Sequence, residues 1–297
     1  MGDRQGALQA SQEAVAIHQE LAAVSPSAFQ PNLASSLHNL SNSLAAVGDR
    51  QGALQASQEA VAIRRELAAE APAAFRPVLA QSLNNLSNRL AAVGDPQGAL
   101  QSIQEAVAIH QALAAEAPDA FRPDLALSLN NLSISLAEVG NRQGALQSIQ
   151  EAVAIHQALA AEAPDAFRPD LARSLNNLSV RLVAAGDPEA ALEAGQEAVE
   201  LYRILLEQQP RAYRYTLANS LGTLARCLQQ LALTTEAIES VQEAIELGVV
   251  LLQDNVQMHA AFVEMIVGFY QELCEQSQTS PDAALLSEIK RLLPPAD

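Results

Sequence analysis

The chain has no tryptophan, one lysine (Lys290), two cysteines and only 3% aromatic residues. Without large rings a core must be packed by aliphatic side chains, and the 49% of apolar residues, chiefly Ala and Leu, supply it. Cys227 and Cys274 are too few for a disulfide framework and lack metal-ligand spacing, so both read as small buried apolar groups in a reducing, cytoplasmic setting. Positive charge is scarce: 17 Lys and Arg stand against 34 Asp and Glu, a net charge of −17, and the basic residues form no run. The footprint needed to neutralise phosphates is missing, which argues against nucleic acid and anionic membrane surfaces as partners. No apolar run reaches membrane-spanning length. The start "MGDRQGALQ" has no apolar signal region, and Gly6 stands where a myristoylation motif needs Ser or Thr.

What the chain does have is a repeat of 46 residues. Gly2, Gly48, Gly94, Gly140 and Gly186 each open a "G(D/N)(R/P)" turn, and Ala232 takes that place in the next unit. Pro26, Pro72, Pro118, Pro164 and Pro210 keep the same step, and residues 97–126 are identical to 143–172. Such copying suits interchangeable units, whereas a single catalytic centre would need one unit with its own chemistry.

Each unit reads as two helices. From Gly94, Asp95 can cap the first amides and Pro96 fits the first helical position. Leu100, Ile103, Val107 and His110 or Leu113 then recur at three-to-four spacing, the pattern of a buried stripe. Pro118 reads as the end of that helix. "PDAFRPD" reads as a connection, with Phe121 anchoring the junction and Pro123 in the first turn of the next helix. The second stripe is Leu125, Leu129, Leu132, Leu136 and Val139, and Gly140 supplies a left-handed stop. No window alternates like a strand. The expected class is all-α, a right-handed stack of helical hairpins by analogy with known solenoids.

The set Leu129, Leu132, Ser133, Leu136, Gly140, Ala145, Ile149 and Ala152 resembles the tetratricopeptide repeat, with small residues at Ser133, Ala145 and Ala152 where two helices approach closely. The 46-residue period exceeds the usual length of about 34. It is similar to the long-period repeats of kinesin light chains and to arrays in bacterial multidomain signalling proteins that share the "LNNL" helix. The resemblance implies a right-handed superhelical solenoid of antiparallel hairpins over residues 1–253, with units stepping at 2, 48, 94, 140, 186 and 232. Residues 254–297 read as a degenerate capping pair: "VQMHAAFVEMIVGFYQELCEQ", then "AALLSEIKRLLPPAD" stopped by Pro294 and Pro295. The helix expected at 3–23 lacks its partner, so its apolar edge either continues into a longer protein or meets another chain.

"SLNNLS" at 82–87, 128–133 and 174–179, with "SLHNLS" at 36–41, places asparagines inside helices at a cost of roughly 0.6 kcal/mol each relative to alanine. The resemblance implies that the first helices line the concave face. There Asn39, Asn85, Asn131 and Asn177 hold the position that hydrogen-bonds the backbone of a bound extended segment, for which an amide offers both donor and acceptor. His38, Asn84, Asn130 and Asn176 precede them, and Asn42 and Asn88 lie one turn on. The alternative is that these amides only bridge the helices of the scaffold. Arg173 and Arg226 are the basic residues expected on this face, Thr223 replaces the asparagine in the last clear unit, and a carboxylate clamp is not expected. Leu127, Ile134 and Val180 suggest apolar pockets between the amides.

Other registers carry no chemistry. His18, His110 and His156 recur with Arg64 and Tyr202 in the other units, but stacked helices lie about 8–10 Å apart, too far to share a metal, and the residues read as polar tips on a packed stripe. The same spacing defeats a carboxylate pair among Glu13, Glu59, Glu105, Glu151, Glu197 and Glu243, which read as a solvated acidic face. "GDRQG" and "GDPQG" lack the strand and the Lys-Ser/Thr of a phosphate loop. No nucleophile, base and acid fall together. The expectation is a protein-binding module that holds an extended or helical segment, with no enzyme activity, metal or cofactor. The other expectation is a spacer, oligomerisation scaffold or sensor arm of a larger signalling protein, associating through the N-terminal helix. High Ala and the preference for Arg over Lys hint at a GC-rich bacterial genome.

Overall fold

The computed structural model describes residues 4–293, and among these thirteen α-helices and no strand are found. Gly2, Pro294 and Pro295 lie outside the described residues. The chain forms two compact units, residues 1–148 and 149–297, divided within one helix. The first holds α1 (Arg4–Val24), α2 (Pro26–Ala46), α3 (Arg50–Glu70), α4 (Pro72–Ala92), α5 (Pro96–Glu116) and α6 (Pro118–Glu138). The dividing helix is α7 (Arg142–Glu162). The second unit holds α8 (Pro164–Ala185), α9 (Pro188–Gln208), α10 (Pro210–Gln230), α11 (Thr234–Asp254), α12 (Val256–Ser277) and α13 (Ala283–Leu292). From α1 to α6 and from α8 to α12 each helix packs against the next, the arrangement of a tetratricopeptide-like stack, and α13 packs back against α11.

Local chemistry explains the helix ends. Asp49, Asp95 and Asp187 accept a hydrogen bond from the amide three residues on, at 2.9, 2.9 and 3.1 Å, and Asn141 does so at 3.0 Å. Gly48, Gly94, Gly140 and Gly186 turn the chain with φ between +83° and +87°. Ala232 takes the same left-handed turn at φ +59° without a glycine's freedom.

One boundary differs from the sequence expectation. Pro118 does not close α5 into a connection; it opens α6, and only Ala117 stands between the two helices. "PDAFRPD" is helical throughout, Phe121 N–H donates to the Ala117 carbonyl at 3.2 Å, and Pro123 lies inside the helix. A proline forfeits one bond of the ladder, and the bonds on either side hold the turn. The same arrangement recurs with Pro31 in α2, Pro77 in α4 and Pro169 in α8.

The core follows the expected stripes. Ile103, Val107, Leu113, Leu125, Leu129 and Leu136 are buried, and Ser133, Ala145 and Ala152 are fully enclosed. In the second unit α12 and α13 share one apolar cluster with α9 to α11 through Leu221, Ile245, Leu252, Tyr270, Leu273 and Ile289. The Tyr270 hydroxyl accepts from the Asp282 amide at 3.0 Å and from Gln242 at 2.9 Å, fixing the start of α13. Cys227 and Cys274 are buried, and burial raises the Cys227 thiol above its ordinary pKa. Glu105 and Glu243 depart from the solvated reading, because Arg65 and Arg203 pair with them across neighbouring odd-numbered helices. Along α1, Ile17, Leu21 and Val24 are exposed. Among the described residues no helix is long and apolar enough to cross a membrane.

Candidate functional site

The asparagine motif falls on the even-numbered helices, and its two amides take different environments because neighbouring positions on a helix point about 100° apart. Asn84 and Asn130 are buried, 5% and 2% exposed. Asn84 donates to Ser128 Oγ at 2.7 Å and to the Ala80 carbonyl at 3.3 Å, while its own carbonyl accepts from Asn131 at 3.2 Å. The bonds to Ser128 and Asn131 join α4 to α6. In the second unit Asn176, half-buried, accepts from Ser220 of α10 at 2.9 Å. Asn39, Asn42 and Asn88 are exposed, and Asn85, Asn131 and Asn177 are half-buried. Asn85 donates to the imidazole of His38, 3.0 Å from Nε2. Burial lowers the His38 pKa, with Arg64 and Arg89 adding to the effect, so the ring is held neutral and can accept.

Arg89 also reaches this face, donating to Ser41 at 3.2 Å and to Asn42 at 2.8 Å, beyond the two arginines expected there. Its long side chain lets it reach the neighbouring helix from just past the asparagine register, which spacing alone hides. Arg173 is half-buried and bonded to Asp170 at 2.7 Å, and Arg226 lies over the Phe269 ring, 5.7 Å from its centroid.

The repeated histidines meet serines rather than each other. His18, His110 and His156 bond through Nδ1 to Ser36, Ser128 and Ser174 at 2.8, 2.7 and 2.9 Å, and Arg64 bonds to Ser82 in the same register. Each pair ties an odd-numbered helix to the even-numbered helix that follows. Among the described residues no three His, Cys, Asp or Glu side chains are grouped to hold a metal.

Three cavities open on the even-numbered helices. In the first unit a space of about 240 Å³ is lined by His38, Asn84, Asn85 and Leu127, which the sequence singles out, together with Gln81, His110 and Asp124. In the second unit a space of about 210 Å³ lies between α10 and α12, walled by Asn219, Thr223, Arg226, Phe262, Met265 and Phe269. A shallower one of about 480 Å³ adjoins it through Arg226, Met265 and Phe269. Tyr215, 44% exposed, sets its ring at a tilt of 55° with its centroid 4.8 Å from that of Phe262, and Met258 and Met265 on the same helix as Phe262 are half-exposed. From its sequence this stretch reads only as a cap. The missed signal was the gathering of Phe262, Phe269, Tyr270 and two methionines into one helix of an aromatic-poor chain.

Comparison with known proteins agrees with this architecture. The family model of the tetratricopeptide repeat matches residues 33–69, 79–116, 125–162 and 171–211, together just over half of the chain. No curated protein sequence matches it. Among solved structures, BtubC (BKLC) from P. vanneervenii superposes with a TM-score of 0.65 at 19% identity, covering 84% of this chain and 93% of its own. Two crystal structures of a Podosopora anserina putative kinesin light chain with nearly identical TPR-like repeats superpose with TM-scores of 0.56 and 0.54. Both are 23% identical; they cover 74% and 72% of this chain and 96% and 93% of their own.

Proposed function

This chain belongs to the tetratricopeptide repeat family, and from that premise we propose that it is a protein-binding module whose even-numbered helices hold an extended or helical segment of another protein. The observation that carries this reading is the convergence of His38, Asn84, Asn85 and Leu127 on one cavity. The half-buried Asn85 amide, able to pair with a peptide group, stands there beside an apolar wall able to take a side chain. The aromatic and methionine-lined cavities in the second unit support the same reading, because Tyr, Phe, Met and Arg side chains concentrate at protein contact surfaces. A net charge of −17 suits a protein partner better than a nucleic acid, and two buried thiols suit a reducing compartment such as the cytoplasm.

The test is binding of immobilised peptide pools, each an extended random sequence, to the wild type and to an Asn85→Ala, Asn131→Ala variant with unchanged helicity and melting. The expected result is peptide capture by the wild type that falls about tenfold or more in the variant, as for loss of one or two buried hydrogen bonds. Equal capture by both proteins would leave the amides as scaffold bonds and defeat the reading.

A second reading rests on α1. Ile17, Leu21 and Val24 are 56%, 36% and 84% exposed, an apolar strip suited to a second chain in an oligomerising scaffold. Sedimentation equilibrium decides it: self-association by the wild type that Ile17→Glu with Leu21→Glu abolishes supports the scaffold. A wild type that stays monomeric across concentrations removes it.

A further inference from the structure

The cavity of the first unit has a chemistry of its own, set by His110. That imidazole is 1% exposed, and Ser128 Oγ lies 2.7 Å from its Nδ1. The same hydroxyl accepts the Asn84 amide at 2.7 Å. A serine hydroxyl has one proton to give. With Asn84 donating into one of its two lone pairs, the Ser128 hydroxyl keeps its proton for Nδ1, the arrangement that places the proton of the neutral ring on Nε2 and that the ¹⁵N signals below read directly. Burial lowers the His110 pKa, against the opposing effect of Asp124, and keeps the ring neutral. Nε2 is buried and has no partner among the described residues. An N–H so placed gains from any acceptor that reaches it.

Asp124, on the same wall, decides what kind of acceptor fits. A ligand carboxylate would meet a like charge, and a ligand ammonium would meet the imidazole N–H instead of an acceptor. A neutral group offering an acceptor on one atom and donors on the next satisfies both, and a primary carboxamide is that group. We propose that this cavity is a carboxamide subsite that selects a glutamine or asparagine side chain. Its carbonyl accepts from His110 Nε2 and its NH₂ donates to Asp124. The identity of the ligand as a side chain of a bound segment rests on the protein-binding reading above.

The preceding repeat shows what closes such a site. One period earlier Arg64 replaces the histidine and Val78 the aspartate, and Arg64 Nη1 bonds to the Val78 carbonyl at 3.0 Å and to Ser82. Neither the unpartnered N–H nor the carboxylate is present there. The following repeat keeps both residues as His156 and Asp170, but Arg173 stands there in place of Leu127 and pairs with Asp170 at 2.7 Å.

The experiment uses the full chain labelled with ¹⁵N-histidine, the His110 signals being assigned with His110→Gln. Three probes differing only in the side chain are titrated: N-acetylglutamine N-methylamide, its glutamate analogue and its methionine analogue. The expected result is a saturable shift of the His110 Nε2 resonance with the glutamine probe, about tenfold tighter than with the other two. Asp124→Asn should narrow the margin between glutamine and glutamate, because the repulsion is removed. No shift at Nε2, equal response to all three probes, or an unchanged margin in Asp124→Asn would overturn the subsite. Peptide capture without glutamine or asparagine preference would overturn it while leaving the module standing. A selective Nε2 response with no peptide captured would keep the subsite and overturn the module.

Discussion

At the residue scale the 46-residue period is held by polar pairs as well as by leucines. A histidine or arginine on one helix meets a buried serine eighteen positions later, and asparagine amides bond that serine register to the preceding even-numbered helix. These buried polar groups are tolerated because the bonds between them offset their loss of water, and the partners fix which residue faces which. His156 makes this titratable. Burial is the main cause of its depression from 6.5 to about 4, with Arg173 adding and Asp170 opposing. The unfolded chain therefore takes up this proton first, and the contribution to stability is present above about pH 6.5 and lost as pH falls towards 4. Roughly 2 kcal/mol of stability should be gone by pH 5 through this group. Urea denaturation at pH 7 and pH 5 measures it, and in His156→Gln the difference between the two should shrink by a comparable amount. A variant with an unchanged pH dependence would remove His156 as the cause.

At the scale of elements, helix starts were legible and one class of helix end was not. Asp95 and Pro96 act at the N-terminus of α5 as their chemistry requires, and Gly94 makes the left-handed turn before it. From spacing Pro118 reads as the end of one helix and Pro123 as the first turn of the next, although a proline at the first position is favourable and one within a helix removes only one hydrogen bond. Packing of Leu125 and Leu129 against the neighbouring stripe keeps that turn helical. The final repeat tests the turn itself. Ala232 holds φ +59° where Gly48, Gly94, Gly140 and Gly186 make the turn in earlier repeats. Ala232→Gly should stabilise the chain by about 1 kcal/mol, seen as a higher midpoint in urea, because a Cβ crowds the carbonyl in the left-handed region. A lowered midpoint would show that the glycine's greater unfolded-state freedom outweighs the relief.

At the scale of the whole molecule, stability is shared between near neighbours, since consecutive helices pack within each unit and each repeat can stack on a copy of itself. Residues 97–126 and 143–172 are identical, so excising 97–142 joins Pro96 to Gln143 and leaves the next thirty residues unchanged. The shortened chain should fold with the same helical content per residue and melt cooperatively at a lower temperature, by circular dichroism. A broad, non-cooperative melt would mean that the repeats are not interchangeable.

The sequence by itself determined the class, the period, the buried stripes and the left-handed turns, because these follow from local spacing, Cβ sterics and capping chemistry. It also marked the asparagine pairs, the histidine register and Leu127 as positions of interest. Only the tertiary structure decided their duties. Both line the cavity, but Asn84 is enclosed and joins two helices while its neighbour Asn85 is half-buried and bonds to His38. His110 keeps one nitrogen unpartnered beside Asp124, and Arg89 crosses to Asn42. Each of these depends on side chains forty or more positions apart in sequence, or on different helices, coming within a few ångströms. A repeat period places such residues in register, but only the packed helices set their distances and their exposure.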